Sequence, residues 1–259
     1  MLLNSTLLVL LLANLACVIF VYRKIKRIDL ETWDLRNSFF KKMDECEFRL
    51  YRQIESLHAL NSILDLATPL PPLRDWAGSP DFLLELCREA ISRRPETIVE
   101  CSSGASTIVA ARCCQINGVG HVFSLENGPE FAEKTRKLLS ENGLSDWATV
   151  IDAPLKEYSL SKEKYPWYAT DSLPDTPIDL LVVDGPPRFL RKHARYPAGP
   201  ILIPRLKENS LIILDDADRD DETKIIQQWR DEFPGFKIER RTAEKGLALL
   251  VKSKTEIAP

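Results

Sequence analysis

From Asp81 to Lys252 the chain repeats one pattern: a short apolar run rich in β-branched residues, an acidic residue at or near its end, then a stretch of helical periodicity. The runs are Thr97 to Glu100, His121 to Leu125, Ala148 to Ile151, Ile178 to Val183 and Ser210 to Leu214. Strands this continuously apolar are buried on both faces, the condition of a parallel sheet covered by helices. Helices are expected from Asp81 to about Ser92, Thr107 to Gln115, Pro129 to Glu141 with a stop at Asn142-Gly143, and Glu222 to Glu232. The last two runs, Phe236 to Arg241 and Gly246 to Lys252, are separated by only about four residues. A parallel crossover needs roughly a dozen or more, so this pair is antiparallel. The expectation is an α/β fold, a seven-stranded and mainly parallel sheet with a C-terminal antiparallel hairpin.

The N-terminal end is of a different kind. Met1 to Tyr22 carries no charged side chain, and Leu7 to Tyr22 is apolar apart from Asn14 and small residues. Roughly 20 such residues span the ~30 Å of a bilayer core. Basic residues do not precede this run; Arg23, Lys24, Lys26 and Arg27 follow it, which favours an uncleaved signal anchor at 1–22 with the chain beyond it in the cytoplasm. Residues 23–68 hold no proline or glycine, and Ile28, Leu35, Phe39, Leu50, Ile54, Leu57 and Leu64 recur at steps that suit a long amphipathic helix. Two readings of that helix stand side by side: a coiled-coil homodimer through residues 25–66, and a stalk that packs on the domain. The proline-rich segment 69–80 reads as a stiff linker into a domain at 81–259.

Composition narrows the partners. A formal net charge of −3 supplies no general attraction for nucleic acid, so none is expected as a partner. The six cysteines form no CxxC pair, and with three histidines they make no zinc site. Reduced thiols in a cytosolic setting fit them better than a disulfide framework.

Ligands of open α/β sheets sit at the carboxyl ends of the strands. Here those ends carry Glu100, Glu126, Asp152, Asp184 and the pair Asp215-Asp216, an acceptor-rich rim suited to hydroxyls, an amino group or a cation. The first turn, Cys101 to Thr107, has one glycine, Gly104, among small residues. Small residues admit a close backbone approach, and the helix that follows offers free N–H groups. It is neither the three-glycine dinucleotide turn nor a lysine-bearing phosphate loop.

In this order and spacing the motifs resemble the class I S-adenosylmethionine-dependent methyltransferases, over roughly Trp76 to Lys252. VECSSGAST (Val99 to Thr107) is similar to the acidic residue and small-residue turn that open the family, in the ELGSGxST form of a small subgroup. Cys101 and Ser102 stand where that subgroup commonly has Leu and Gly. SLENGPEF (Ser124 to Phe131), DLLVVDGPP (Asp179 to Pro187), ARYPAGPIL (Ala194 to Leu202) and LIILDDA (Leu211 to Ala217) resemble its later motifs. The resemblance implies a Rossmann-like sheet and S-adenosylmethionine as cofactor. It implies further that Glu100 and the turn Ser102, Ser103 and Gly104 face the amino-acid part, with Ser106 and Thr107 at the helix start. Glu126 would bind the ribose, Asn127 would lie beside the adenine, Asp152 and Ala153 would border the base, and Asp184 would contact the cofactor. Ser106 and Thr107 serve equally well as plain helix caps.

Methyl transfer to a hydroxyl needs in-line approach and a base or cation that lowers the acceptor's pKa. Asp184, Asp215 and Asp216 are expected at adjacent strand ends, where mutual repulsion calls for a proton or a cation. A divalent metal held by these three, Mg²⁺, Ca²⁺ or Mn²⁺, is one solution. The other leaves Asp184 on the cofactor, Asp215 as a cap and Asp216 solvated. The catalytic set is then drawn from Asp184, Asp216 and His193, the last as a general base. The loop Pro187 to Tyr196 concentrates Arg188, Arg191, Lys192 and Arg195, suited to an anionic acceptor or to lipid headgroups. Tyr158, Tyr165, Trp167 and Tyr168 suggest a lid over an acceptor, or packing for a local helix.

The leading expectation is a single-pass membrane protein with a cytoplasmic catalytic domain, methylating a glycan, a lipid-linked intermediate or an anionic small molecule at oxygen. A membrane-tethered scaffold without catalysis and an NAD-type oxidoreductase are the alternatives, the second disfavoured by the lone Gly104 and the terminal hairpin.

Overall fold

A computed structural model describes residues 2–73 and 76–253. Met1, Arg74 and Asp75 of the expected linker, and the last six residues of the expected domain lie outside the described residues. The chain divides into two units, Met1–Tyr51 and Arg52–Pro259.

The first unit is helical throughout its described length. It belongs to α1, Leu2–Leu64, which continues without a break because no proline or glycine interrupts it. By length and composition, this is the one described helix able to cross a membrane. Its apolar window has a mean hydropathy of 2.2 and no part of that window is buried. Ile28, Leu35, Phe39 and Leu50 are exposed along it.

The second unit begins before the proline-rich segment at which the sequence places its boundary. Leu60 and Leu64 are fully buried in its core. Gln53 donates from Nε2 to Asp81 Oδ2 at 2.8 Å and accepts from the Asp81 main-chain N–H at 3.3 Å. Arg112 Nε donates to the Leu64 carbonyl at 2.6 Å, satisfying a group that the helix end would otherwise orphan. The last turns of α1 are thus core, which removes Leu64 from any seam with a second copy.

The sheet follows from the strand pattern. β1 (Thr97–Cys101), β2 (His121–Glu126), β3 (Ala148–Asp152), β6 (Ile178–Val183) and β7 (Leu206–Asp215) run parallel, and β8 (Phe236–Arg241) and β9 (Leu247–Lys252) close it antiparallel. The order is β3-β2-β1-β6-β7-β9-β8, so the direction of winding reverses between β1 and β6. One face is packed by α2 (Pro80–Arg93), α3 (Ala105–Asn117), α4 (Pro129–Glu141) and the end of α1. The other is packed by the short α5 (Ala198–Leu202) and by α6 (Asp220–Glu232).

The segment expected to be a lid or a local helix is instead a hairpin, β4 (Leu155–Leu160) and β5 (Glu163–Tyr168), turning at Ser161 and Lys162, both with positive φ. Tyr165, Trp167 and Tyr168 are buried in the second core cluster, which makes these rings packing rather than a cover.

Trp229 of α6 ties this face to the loop beyond β6. Its Nε1 donates to the Tyr196 carbonyl at 2.9 Å, its ring is fully buried, and a Cβ on Gly199 would collide with it. Tyr196 in turn donates from its hydroxyl to Glu232 Oε1 at 2.7 Å. Trp229→Ala should therefore lower stability by about 3–5 kcal/mol, read as a fall in the urea midpoint of the detergent-solubilised chain. An unchanged midpoint would show that the loop is held by something else.

Candidate active site

Register sets the floor of the site. Glu100 pairs with Ser124 across β1 and β2, and Ser124 Oγ donates to Glu100 Oε2 at 2.8 Å. Thr107 Oγ1 donates to the same oxygen at 2.6 Å while accepting from the Gly104 N–H at 3.0 Å. These bonds bend the chain from β1 into α3. Gly104 takes φ +144° and Ser102 φ +120°, a region that favours glycine, and the Ser102 N–H is held by the Leu125 carbonyl at 3.0 Å. Glu100 is almost fully buried and its Oε1 has no partner. Burial pushes its carboxyl up to about 7, against the hydroxyl donors that pull it down.

Above this floor lies a cavity of about 600 Å³ at the carboxyl ends of the parallel strands, beside the β1/β6 reversal. Ser102 and Ser103 form one wall with Glu126 and Asn127 at the end of β2. Glu126 accepts from Ser103 Oγ at 2.8 Å and from the Gly128 N–H at 2.8 Å, which fixes its carboxylate toward the opening. Phe131 and the hydroxyl-bearing Tyr168 line the space between, and Gly185 must be glycine because a Cβ there would strike the Tyr168 hydroxyl. Trp76 and Phe189 stand at the rim, ring centroids 5.8 Å apart and both largely exposed.

The far wall is the acidic cluster. Asp184, Asp215 and Asp216 each place a carboxylate oxygen within 4.8 Å of the others. Between them lies Arg195, whose Nη2 donates to Asp184 Oδ1 at 3.1 Å and to Asp216 Oδ2 at 2.7 Å, and whose Nη1 donates to the Asp215 carbonyl at 2.9 Å. Arg219 Nη1 lies 2.6 Å from Asp216 Oδ2, and Lys245 Nζ 3.9 Å from Asp216 Oδ1. Burial raises Asp184 to about 6 even though Arg195 opposes the shift, and burial with its two acidic neighbours holds Asp215 well above the usual carboxylate range. Burial disfavours the Arg195 charge, but the carboxylates outweigh it and keep the guanidinium protonated. The Arg195 guanidinium thus bridges two of the three carboxylates.

Of the expected site residues, Ser102, Ser103, Glu126, Asn127, Asp184, Asp215 and Asp216 line the cavity. Glu100 and Thr107 lie beneath it and bond to each other, Thr107 acting as the helix cap, and Gly104 and Ser106 are likewise outside its lining. Asp152 points to solvent and pairs with Arg136 at 2.7 Å, and Ala153 is buried behind the wall. His193 turns toward Asp221, its Nε2 3.8 Å from Oδ1, and is not among the lining residues. The basic loop disperses: Arg188 reaches the cavity, Arg191 packs over Tyr165 and pairs with Glu163 at 2.6 Å, and Arg195 points inward. Arg219 and Lys245 carried no signal in the sequence, arriving from a helix approach and a hairpin turn, whereas Tyr168, one of the aromatics expected in a lid, reaches the lining from β5.

Comparison with known proteins bears on what this crevice is for. A family model described as "Methyltransferase domain" matches residues 99–217, the span from β1 through the acidic cluster. No curated protein matches the sequence. Among solved structures, cofactor-bound Rv0187 from MTB is 22% identical with a TM-score of 0.52, covering 76% of this chain and 89% of its own. The SAH-bound methyltransferase PaMTH1 of Podospora anserina is 15% identical with a TM-score of 0.53 over 76% and 86%. An O-methyltransferase from Bacillus cereus in complex with SAH is 18% identical with a TM-score of 0.51 over 77% and 91%. At such identities the structural likeness is one of fold.

Glu100 yields a test of the site's floor. A carboxyl raised from 4.5 to about 7 on folding contributes stability that is present below about 4.5 and is lost as pH rises through about 7. Glu100→Gln, neutral throughout, should lose less stability than wild type between about pH 5 and pH 8, by up to about 3 kcal/mol. Superimposable stability profiles would contradict the assignment. With its sequence match, its sheet order and its crevice at the strand ends taken together, residues 99–217 carry the match to a methyltransferase domain and the sheet has the Rossmann-like fold of the methyltransferases compared.

Proposed function

We propose that the protein is a membrane-anchored O-methyltransferase that acts from the cytoplasmic face on a small-molecule acceptor: a glycan, a lipid-linked intermediate or an anionic metabolite. The observation that carries it is a single crevice with Glu126 on one wall and Asp184 on the other. The Bacillus cereus O-methyltransferase, which shares the fold, supports oxygen as the methylated atom. The uncharged start of α1, followed by Arg23, Lys24, Lys26 and Arg27, supports the anchor and its orientation. Ile28, Leu35 and Phe39 form an exposed strip that would pair with a second copy.

In this reading Glu126 accepts hydrogen bonds from the ribose hydroxyls, and Ser102 and Ser103 present backbone and small side chains to the amino-acid part. Asn127 and Phe131 flank the adenine. Bound there, S-adenosylmethionine supplies an electrophilic methyl group on a sulfonium. Asp184, ionised above about pH 6, takes the proton of the acceptor hydroxyl as that oxygen attacks. Arg195 holds the Asp184 carboxylate in place. Arg188, exposed at the mouth, meets a negative charge on the acceptor. Glu100 lies below and keeps the turn in shape rather than touching the cofactor.

Calorimetric titration of the full-length chain in detergent tests this. S-adenosylmethionine should bind and NAD should not. Glu126→Ala should weaken the former by about tenfold to a hundredfold, the ~1.5–3 kcal/mol of a charge-assisted bond pair. Heat from NAD alone would replace the methyltransferase reading with an oxidoreductase, and equal affinity in Glu126→Ala would remove the ribose role.

A further inference from the structure

We infer that the Arg195 guanidinium is the resident cation of the acidic crevice, taking the place that a divalent metal ion would need among Asp184, Asp215 and Asp216. The position is fixed by geometry. Nη2 lies 3.1 Å from Asp184 Oδ1 and 2.7 Å from Asp216 Oδ2, and Nη1 lies 2.9 Å from the Asp215 carbonyl and 3.7 Å from Glu222 Oε1. The side chain is 5% exposed, and these four partners hold its charged end. A guanidinium stays protonated in a protein, and its planar fork suits two carboxylates at once.

A metal bridging the same carboxylates would sit about 2.0–2.6 Å from each ligand oxygen. That position overlaps the one Nη2 holds, and a second cation so close to a buried guanidinium would be strongly repelled. Asp216 meets Arg219 and Lys245 as well, so the cluster's central carboxylate faces three cations. By number of groups the lining sets four carboxyls, Glu126, Asp184, Asp215 and Asp216, against four cations, Arg188, Arg195, Arg219 and Lys245. Nothing in it draws two further positive charges. The buried oxygens that lack a hydrogen-bond partner there are Asp215 Oδ1 and Asp216 Oδ1.

Arg195 is thus a positioning residue: it bridges Asp184 and Asp216 and leaves the crevice closed to a metal. The inference stands on the cluster and not on the identity of the acceptor. Titrating the full-length chain in detergent with Mn²⁺, and following the electron paramagnetic resonance of the free ion, tests it directly. Wild type should leave the signal undiminished, and the heat of S-adenosylmethionine binding should be the same with and without EDTA. Arg195→Gln should take up one equivalent of Mn²⁺ and gain thermal stability from it. If that variant does not fold, Arg195→Lys, which keeps the charge, should leave Mn²⁺ free as wild type does. Wild-type uptake that Asp216→Asn abolishes would overturn the inference, as would uptake by Arg195→Lys; uptake indifferent to Asp216→Asn lies elsewhere and supports it. Failure to bind S-adenosylmethionine would strike the proposed function and leave this result standing.

Discussion

Four carboxylates crowd one corner of the second unit, and a buried guanidinium is what lets them do so. Asp184, Asp216 and Glu222 lie within 3.7 Å of Arg195, and Asp215 offers it a main-chain carbonyl. Removing one partner of a buried ionic network costs about 3–5 kcal/mol, because the groups left behind stay desolvated. The corner, at the ends of β6 and β7, adjoins the β1/β6 reversal, so the crevice opened by topology and the charge that fills its wall share the end of β6. Shifting β6 or β7 by one residue would turn these side chains to the opposite face and leave Arg195 without its partners.

The supports of Arg195 run outward from there. Tyr196, its neighbour, is held by Trp229 through its carbonyl and by Glu232 through its hydroxyl. Gly199 permits the approach of the Trp229 ring. The hairpin β4–β5 adds Ser161, 2.9 Å from the Tyr196 hydroxyl, and the Tyr165 ring, 5.2 Å from that of Tyr196. A loop that reads in the sequence as a basic, solvated patch is therefore clamped on three sides. That clamp is what converts one arginine of the patch into part of the crevice wall.

How far the sequence speaks follows from which forces are local. The strands Ile178–Val183 and Phe236–Arg241 and the helix Pro129–Glu141 have the bounds expected of them, because apolar runs and Pro or Gly punctuation are written into adjacent residues. The hairpin at 155–168 escaped because its turn uses Ser161 and Lys162 in place of Asn-Gly, and because Lys156, Glu157, Glu163 and Lys164 blur its alternation. For the end of α1 two readings stay open in the sequence, a coiled coil and a stalk that packs on the domain, because nothing local distinguishes an apolar stripe that meets a partner helix from one that meets its own domain. The placing of Leu60 and Leu64 depends on Arg112 and on Asp81 of α2, which Gln53 meets, both distant in sequence.

The site shows the same division. Strand-end carboxylates can be counted in a sequence, but their counter-ions cannot, since these arrive from separate segments: Arg195 from a loop, Arg219 from the approach to α6 and Lys245 from the turn before β9. Three converging aspartates pose a question of charge that has a metal or a basic side chain as its answer, and composition alone does not choose. The choice depends on whether a side chain long enough to reach the gap is anchored so that its charged end cannot leave. Arg195 meets that condition through the anchorage of Tyr196, and so the electrostatics of the crevice are settled by a tryptophan on a helix whose ring is not among the residues that line it.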